Sequence, residues 1–117
     1  MNLAYQYRAK ITNVVDGDTL DLEIDLGFRA RLEIRCRVWG VNCPEVKGDS
    51  KVKGMAATHF TSELIRGFTS VMVRTHKDAD SFGRYVAEII GTRQDGTVLN
   101  LGDELIKNGH AIEFMRK

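Results

Sequence analysis

Thr19-Leu20-Asp21-Leu22-Glu23-Ile24-Asp25-Leu26 alternates apolar and polar residues without a break. Side chains on a strand point to opposite faces in turn, so this period of two predicts a half-buried β-strand with Leu20, Leu22, Ile24 and Leu26 inward. Leu26-Gly27-Phe28 turns the chain, with glycine free to take positive φ. The return repeats the alternation: Ala30, Leu32, Ile34, Cys36 and Val38 face in, and Arg29, Arg31, Arg35 and Arg37 face out. Acids on one strand then stand opposite arginines on the other, which predicts exposed cross-strand ion pairs rather than a basic patch. Arg37 is set apart. It lies furthest from the turn and closest to Asn42-Cys43-Pro44-Glu45.

Outward from this hairpin, Tyr7 to Val15 reads as a preceding strand, ended by Asp16-Gly17. Val46 to Ser50 is a polar loop, after which Asp49 or Ser50 can cap a helix with Met55, Ala56, Phe60, Leu64 and Ile65 on its buried side and Gly67 at its end. Strands follow at Ser70 to Thr75 and Tyr85 to Thr92, with Asp95-Gly96 turning into Thr97-Val98-Leu99. Asn100 caps a second helix with Asp103 three residues on, and Gly109 ends it. Ala111 to Phe114 reads as a last short strand before a basic end. The predicted class is α+β, mainly β: one domain over residues 1–117, a five-stranded OB-fold-like barrel with two packed helices.

The 117 residues suffice for one core without staples, and 43% hydrophobic with 28% charged residues argues against disorder. A net charge of +1 confines any electrostatic footprint to local clusters. Two cysteines, no Cys-x-x-Cys and three scattered histidines give no zinc pattern, and reduced thiols are expected. Neither a signal-peptide core nor an apolar membrane span is visible, so the reading is a cytoplasmic monomer with no membrane partner.

Three segments carry chemistry. Asp16-Gly17-Asp18-Thr19 offers two carboxylates at a strand junction, Arg37 to Glu45 adds an arginine, an amide and a carboxylate, and Phe82-Gly83-Arg84 adds a second arginine. Phosphodiester cleavage needs such groups, because negative charge grows on the phosphoryl oxygens in the transition state. Planar arginine forks match those oxygens, and an oxygen-liganded dication and a carboxylate base complete the requirement.

With Leu105-Ile106-Lys107-Asn108-Gly109-His110-Ala111 as a fourth marker, the chain from about Tyr7 to Phe114 resembles the staphylococcal nuclease (thermonuclease) family. The resemblance implies an OB-fold barrel that hydrolyses DNA or RNA, preferring single strands, with a calcium ion (Ca2+). It places Asp18 as a direct calcium ligand, Asp16 in the outer shell, Asn42 at a second ligand position and Cys43 as a backbone-carbonyl ligand. Glu45 falls at the position of the general base, Arg37 and Arg84 at those of the phosphate-gripping arginines, and Phe82 at that of a tyrosine lining the nucleotide pocket. Asn42 replaces an aspartate, which removes one negative charge from the metal site and weakens calcium. The Val46 to Ser50 loop is shorter than in the prototype, the Gly27 hairpin longer, and the chain stops at Lys117 where the prototype continues into another helix. A non-catalytic OB module binding single-stranded nucleic acid, or a protein-interaction module, is the alternative.

Overall fold

The computed structural model describes residues 5–76 and 85–116. The strands are β1 (Gln6–Asp16), β2 (Thr19–Asp25), β3 (Arg31–Val38), β4 (Val41–Asn42), β5 (Phe68–Thr75), β6 (Tyr85–Arg93), β7 (Val98–Asn100) and β8 (Ile112–Glu113). Two helices, α1 (Lys51–Arg66) and α2 (Leu101–Lys107), pack against them. The main sheet runs β3-β2-β1-β5-β6-β7, and a parallel pairing of β3 with β6 closes five of these strands into a barrel. Closure registers Cys36 with Tyr85, Arg37 with Val86 and Val38 with Ala87. The predicted class therefore holds. No described helix is long and apolar enough to cross a membrane.

The alternation fills the barrel as predicted near its middle, where Leu20, Leu22, Ile24, Cys36 and Val38 are buried with Val73, Ile89, Leu101 and Leu105. It fails toward the hairpin tip. Leu26 and Leu32 are more than 40% exposed, because the β2–β3 ribbon projects past the core that would cover them. At the tip Gly27, Phe28 and Arg29 all take positive φ, closed by the Leu26 N–H donating to the Ala30 carbonyl at 2.9 Å. The predicted cross-strand pairs form on the wet face, Arg35 to Asp21 at 2.8 Å and Arg31 to Glu23 at 3.4 Å.

The first helix keeps part of its predicted face: Phe60 and Leu64 are half-buried against the core, and Ile65 is half-buried. Met55 and Ala56, however, are exposed, and the fully buried positions are Gly54, Ala57 and Thr61. A Cβ on Gly54 would stand 2.5 Å from the Glu45 carbonyl, and one on Gly17 would stand 2.9 Å from the Ala57 Cβ. Close approach to backbone selects small residues here over the large apolar ones. Ser50 does precede α1, but its hydroxyl does not cap the helix; it donates to the Glu45 carbonyl at 2.7 Å and the Lys47 carbonyl at 3.1 Å. The second helix keeps its predicted cap, with Asn100 Oδ1 accepting from the Asp103 N–H at 3.1 Å. It closes through left-handed Gly109, with the His110 N–H donating to the Leu105 carbonyl at 2.8 Å. Gly67 ends α1 with an ordinary helical φ, so its conformational freedom goes unused.

Candidate active site

The β1–β2 turn carries Asp16 and Asp18 and is tied down on three sides. The Asp18 carbonyl accepts from the Val38 N–H of β3 at 2.8 Å, and its Oδ2 accepts from the Cys43 N–H at 2.9 Å. The Gly17 carbonyl accepts from the buried Thr61 hydroxyl of α1 at 2.8 Å. Asp16 Oδ1 accepts from the Asp18 N–H at 3.2 Å, which lays the two carboxylates side by side. Asp18 is only 8% exposed. Burial first, and then Asp16, push its carboxyl up to about 6, against a smaller lowering by the Cys43 N–H and the Arg37 charge.

Arg37 stands opposite Thr19 across the β2–β3 pair. Its Nη2 donates to the Val41 carbonyl at 3.2 Å and to Asn42 Oδ1 at 3.0 Å, and its guanidinium carbon lies 4.7 Å from the centre of the Phe114 ring. Strand β4 pairs with β8, Asn42 opposite Ile112. Phe114 thus reaches the site from the far end of the chain. Nothing local in the sequence marks it; the only signal was an aromatic on a strand candidate.

Cys43 is buried beside this cluster, its thiol pushed up to about 12 by burial and by the Asp18 charge. A thiol so protonated is a poor ligand and nucleophile, and the residue meets Asp18 through its main chain. Glu45 differs from the others. Its backbone carbonyl is held by Ser50 and abuts Gly54, but its side chain is 71% exposed and pairs with Lys47 at 3.5 Å. Among the predicted site residues, the structure brings Asp16, Asp18, Arg37, Asn42 and Cys43 together through direct contacts. The Glu45 carboxylate points instead to Lys47, while Phe82 and Arg84 lie outside the described residues.

A family model described as staphylococcal nuclease homologue matches residues 35–117, more than half of the chain. The chain belongs to that family. The matched residues contain Arg37, Asn42, Cys43, Glu45, Phe82 and Arg84; Asp16 and Asp18 precede them. This nuclease homologue is also similar to the uncharacterized protein MJ1439 of Methanocaldococcus jannaschii, 26% identical over 126 residues. That similarity takes in 90% of the present chain and 58% of MJ1439, so the chain spans less than two thirds of that relative.

Family members of this type are typically calcium-dependent, and the donors present can be tested against that ion. Among the described residues no three His, Cys, Asp or Glu side chains form a metal-sized group. The side-chain oxygen donors are the Asp16 and Asp18 carboxylates of the turn and, on β4, the Asn42 amide, whose Oδ1 already accepts from Arg37 at 3.0 Å. They fit a hard dication in kind, since all are oxygens and the neighbouring carboxylates carry charge that Arg37 only partly offsets. They fit in number only weakly: two carboxylates and one amide bind calcium less tightly than three carboxylates.

Proposed function

We propose that this domain is a calcium-dependent nuclease that hydrolyses phosphodiester bonds in DNA or RNA, with single strands preferred. The observation that carries the reading is the convergence of an acidic pair, buried Asp18 and half-buried Asp16, with Arg37 at the joined ends of β2 and β3. The Asp18 carboxyl ties the turn to Cys43 and is at the same time held, by burial, at a raised proton affinity. Groups held in such a state are characteristic of ligand and reaction sites.

In this reading Asp18, Asn42 and the Cys43 carbonyl hold the calcium ion, with Asp16 in the outer shell. Bound calcium would draw electron density from the phosphate and help to orient water. Arg37 and Arg84 donate to the phosphoryl oxygens, where two forked cations stabilise the transition state more than the ground state. Glu45 accepts a proton from the attacking water as the new P–O bond forms, and the bond from phosphorus to the departing sugar oxygen breaks. For this the Glu45 side chain must leave Lys47, an exchange made easy because exposed ion pairs contribute little stability. Phe82 offers an apolar face to a base.

A second reading has its own observation. Asn42 Oδ1 already accepts from Arg37, which suits a domain that grips nucleic acid without cutting it. Cleavage of end-labelled single-stranded DNA and RNA across a calcium series, with chelator and Glu45→Ala as controls, decides between them. Calcium-dependent cutting lost in the variant supports the nuclease. Salt-sensitive binding without cutting, by folded protein at high calcium, replaces it with the binding module.

A further inference from the structure

Arg37 does not hold its geometry alone. Its two described hydrogen bonds go to Val41 and Asn42 of β4, and β4 is paired only with β8 among the described strands. The chain then continues past β8 to Phe114, whose N–H donates to the Gly40 carbonyl at 2.9 Å and whose ring lies under the Arg37 guanidinium. Two residues further, Arg116 Nε donates to the same Gly40 carbonyl, also at 2.9 Å. Two bonds from the C-terminal segment therefore meet on one carbonyl, three residues after Arg37.

Arg116 is built into its place. Nη1 pairs with Asp103 of α2 at 2.9 Å, the guanidinium lies 5.3 Å from the Trp39 ring, and the side chain is 23% exposed. Glycines make the room: a Cβ at Gly40 would stand 2.5 Å from Arg116 Nε, and one at Gly102 would stand 3.3 Å from Nη2. What reads in sequence as a basic end is a clasp. Resting on the nuclease reading above, we infer that the C-terminal segment is a positioning element for Arg37: Phe114 is the platform that orients the guanidinium, and Arg116 locks that platform to Gly40 and α2.

The physical basis is entropic and electrostatic. An arginine on a strand edge samples many rotamers, and each one away from the phosphate lowers the fraction of encounters with the fork aligned. A ring face beneath the guanidinium favours one orientation by cation–π attraction and consumes none of its N–H donors.

A double-mutant cycle tests this, with activity measured far below each variant's melting temperature. Phe114→Leu keeps apolar bulk and loses the ring; kcat/KM should fall about tenfold, the size of one such contact. Phe114→Tyr keeps the ring and should restore activity to within about twofold of the parent. In an Arg37→Ala background Phe114→Leu should cause no further loss, because the residue it positions is gone. An equal fall in that background would overturn the inference, showing that Phe114 acts on the substrate or on the fold. Arg116→Lys should reproduce the Phe114→Leu loss in part and show the same dependence on Arg37. The NMR signal of the Arg37 Nε–H supplies a readout without catalysis. It should shift on loss of the ring in Phe114→Leu and stay close to the parent in Phe114→Tyr. If the parent cuts nothing, the nuclease reading falls while this signal still decides the positioning role; an Arg37 signal indifferent to the ring would sink the inference even in an active enzyme.

Discussion

Arg35 and Arg37 stand two residues apart on the same face of β3, and the barrel treats them differently. Arg35 is 63% exposed at the side chain and forms two contacts with Asp21, at 2.8 and 3.3 Å. Arg37 stands where the ribbon joins the closed barrel, against β4, the Phe114 ring and a turn whose Asp18 is buried. One arginine balances a surface acid and the other is held among the groups of the candidate site. The same contrast runs along the whole β2–β3 pair, from the open tip at Phe28 to the enclosed end at Thr19. Position along the ribbon, and not residue type, separates solvated charge from candidate machinery.

The largest test of that contrast is activity. Arg37→Ala should lower kcat/KM by about 100-fold or more, the scale of losing one donor to a developing oxyanion. Arg35→Ala should leave it within about twofold, since its exposed pair contributes little. Initial rates on labelled oligonucleotides, with folding checked by circular dichroism, measure both. Equal losses in the two variants would break the comparison and point to a general electrostatic attraction of substrate along the ribbon.

Two carboxylates on the same ribbon should next show opposite pH dependence. The carboxyl of Asp18 is raised from 3.8 to about 6 chiefly by burial, so between those values the folded protein holds a proton that the unfolded chain has released. Ionising Asp18 therefore costs stability as pH rises through that window, about 2–3 kcal/mol in full. Asp18→Asn keeps an acceptor for the Cys43 N–H and should be more stable than the parent by about that amount at pH 8, with the gain vanishing near pH 3.5. Asp21 goes the other way. Its hydrogen bonds from Arg35 and Asn13 hold its carboxyl below the ordinary range. The stability it adds is present at neutral pH and is lost as pH falls through its depressed value. Thermal melts of the parent, Asp18→Asn and Asp21→Asn across pH, in chelator, give both signs. An Asp18→Asn protein less stable at pH 8 would mean that the buried charge is compensated by groups beyond those at the turn.

How far the sequence could be read follows the range of the interactions involved. The inner half of the hairpin, the Asn100 cap and the Gly109 terminus are set by neighbours within a few residues, and the pattern there agrees with the structure; at the hairpin tip, where no core covers Leu26 and Leu32, it does not. The buried face of α1 is legible at Phe60 and Leu64 but not in its first turns, because periodicity weighs Met55 as core and Gly54 as neutral. Backbone approach to Glu45 reverses that weighting, and it depends on a loop nine residues earlier. Asp18 and Arg37 could be singled out from residue type and resemblance, but the platform under Arg37 could not. Phe114 lies 77 residues away in sequence from Arg37 and reaches it through the two-residue pairing of β4 with β8 and the bonds of the C-terminal segment to Gly40. So short a strand as Val41–Asn42 leaves no period to detect.

The smallest expected effect concerns glycines at the two ends of the ribbon. Gly17 and Gly27 are both turn glycines in sequence, but they are glycine for different reasons. A Cβ on Gly17 would meet the Ala57 Cβ at 2.9 Å, the Cys43 Sγ at 3.0 Å and the Ala57 carbonyl carbon at 3.1 Å. These are packed atoms of a helix and of the site itself. Gly27 has φ +80 and nothing within 4 Å of where its Cβ would stand. Gly17→Ala should therefore cost about 1–3 kcal/mol by overpacking, and lower activity as well, because relief requires α1 or Cys43 to move away from Asp18. Gly27→Ala should cost only about 1–2 kcal/mol, the conformational penalty of a left-handed alanine, with rates unchanged. Chemical denaturation gives the stabilities and the oligonucleotide assay the rates. A Gly17→Ala protein that loses stability while cutting at the parental rate would show that α1 can retreat without disturbing Asp18, and that the enclosed end of the ribbon is less rigid than its hydrogen bonds imply.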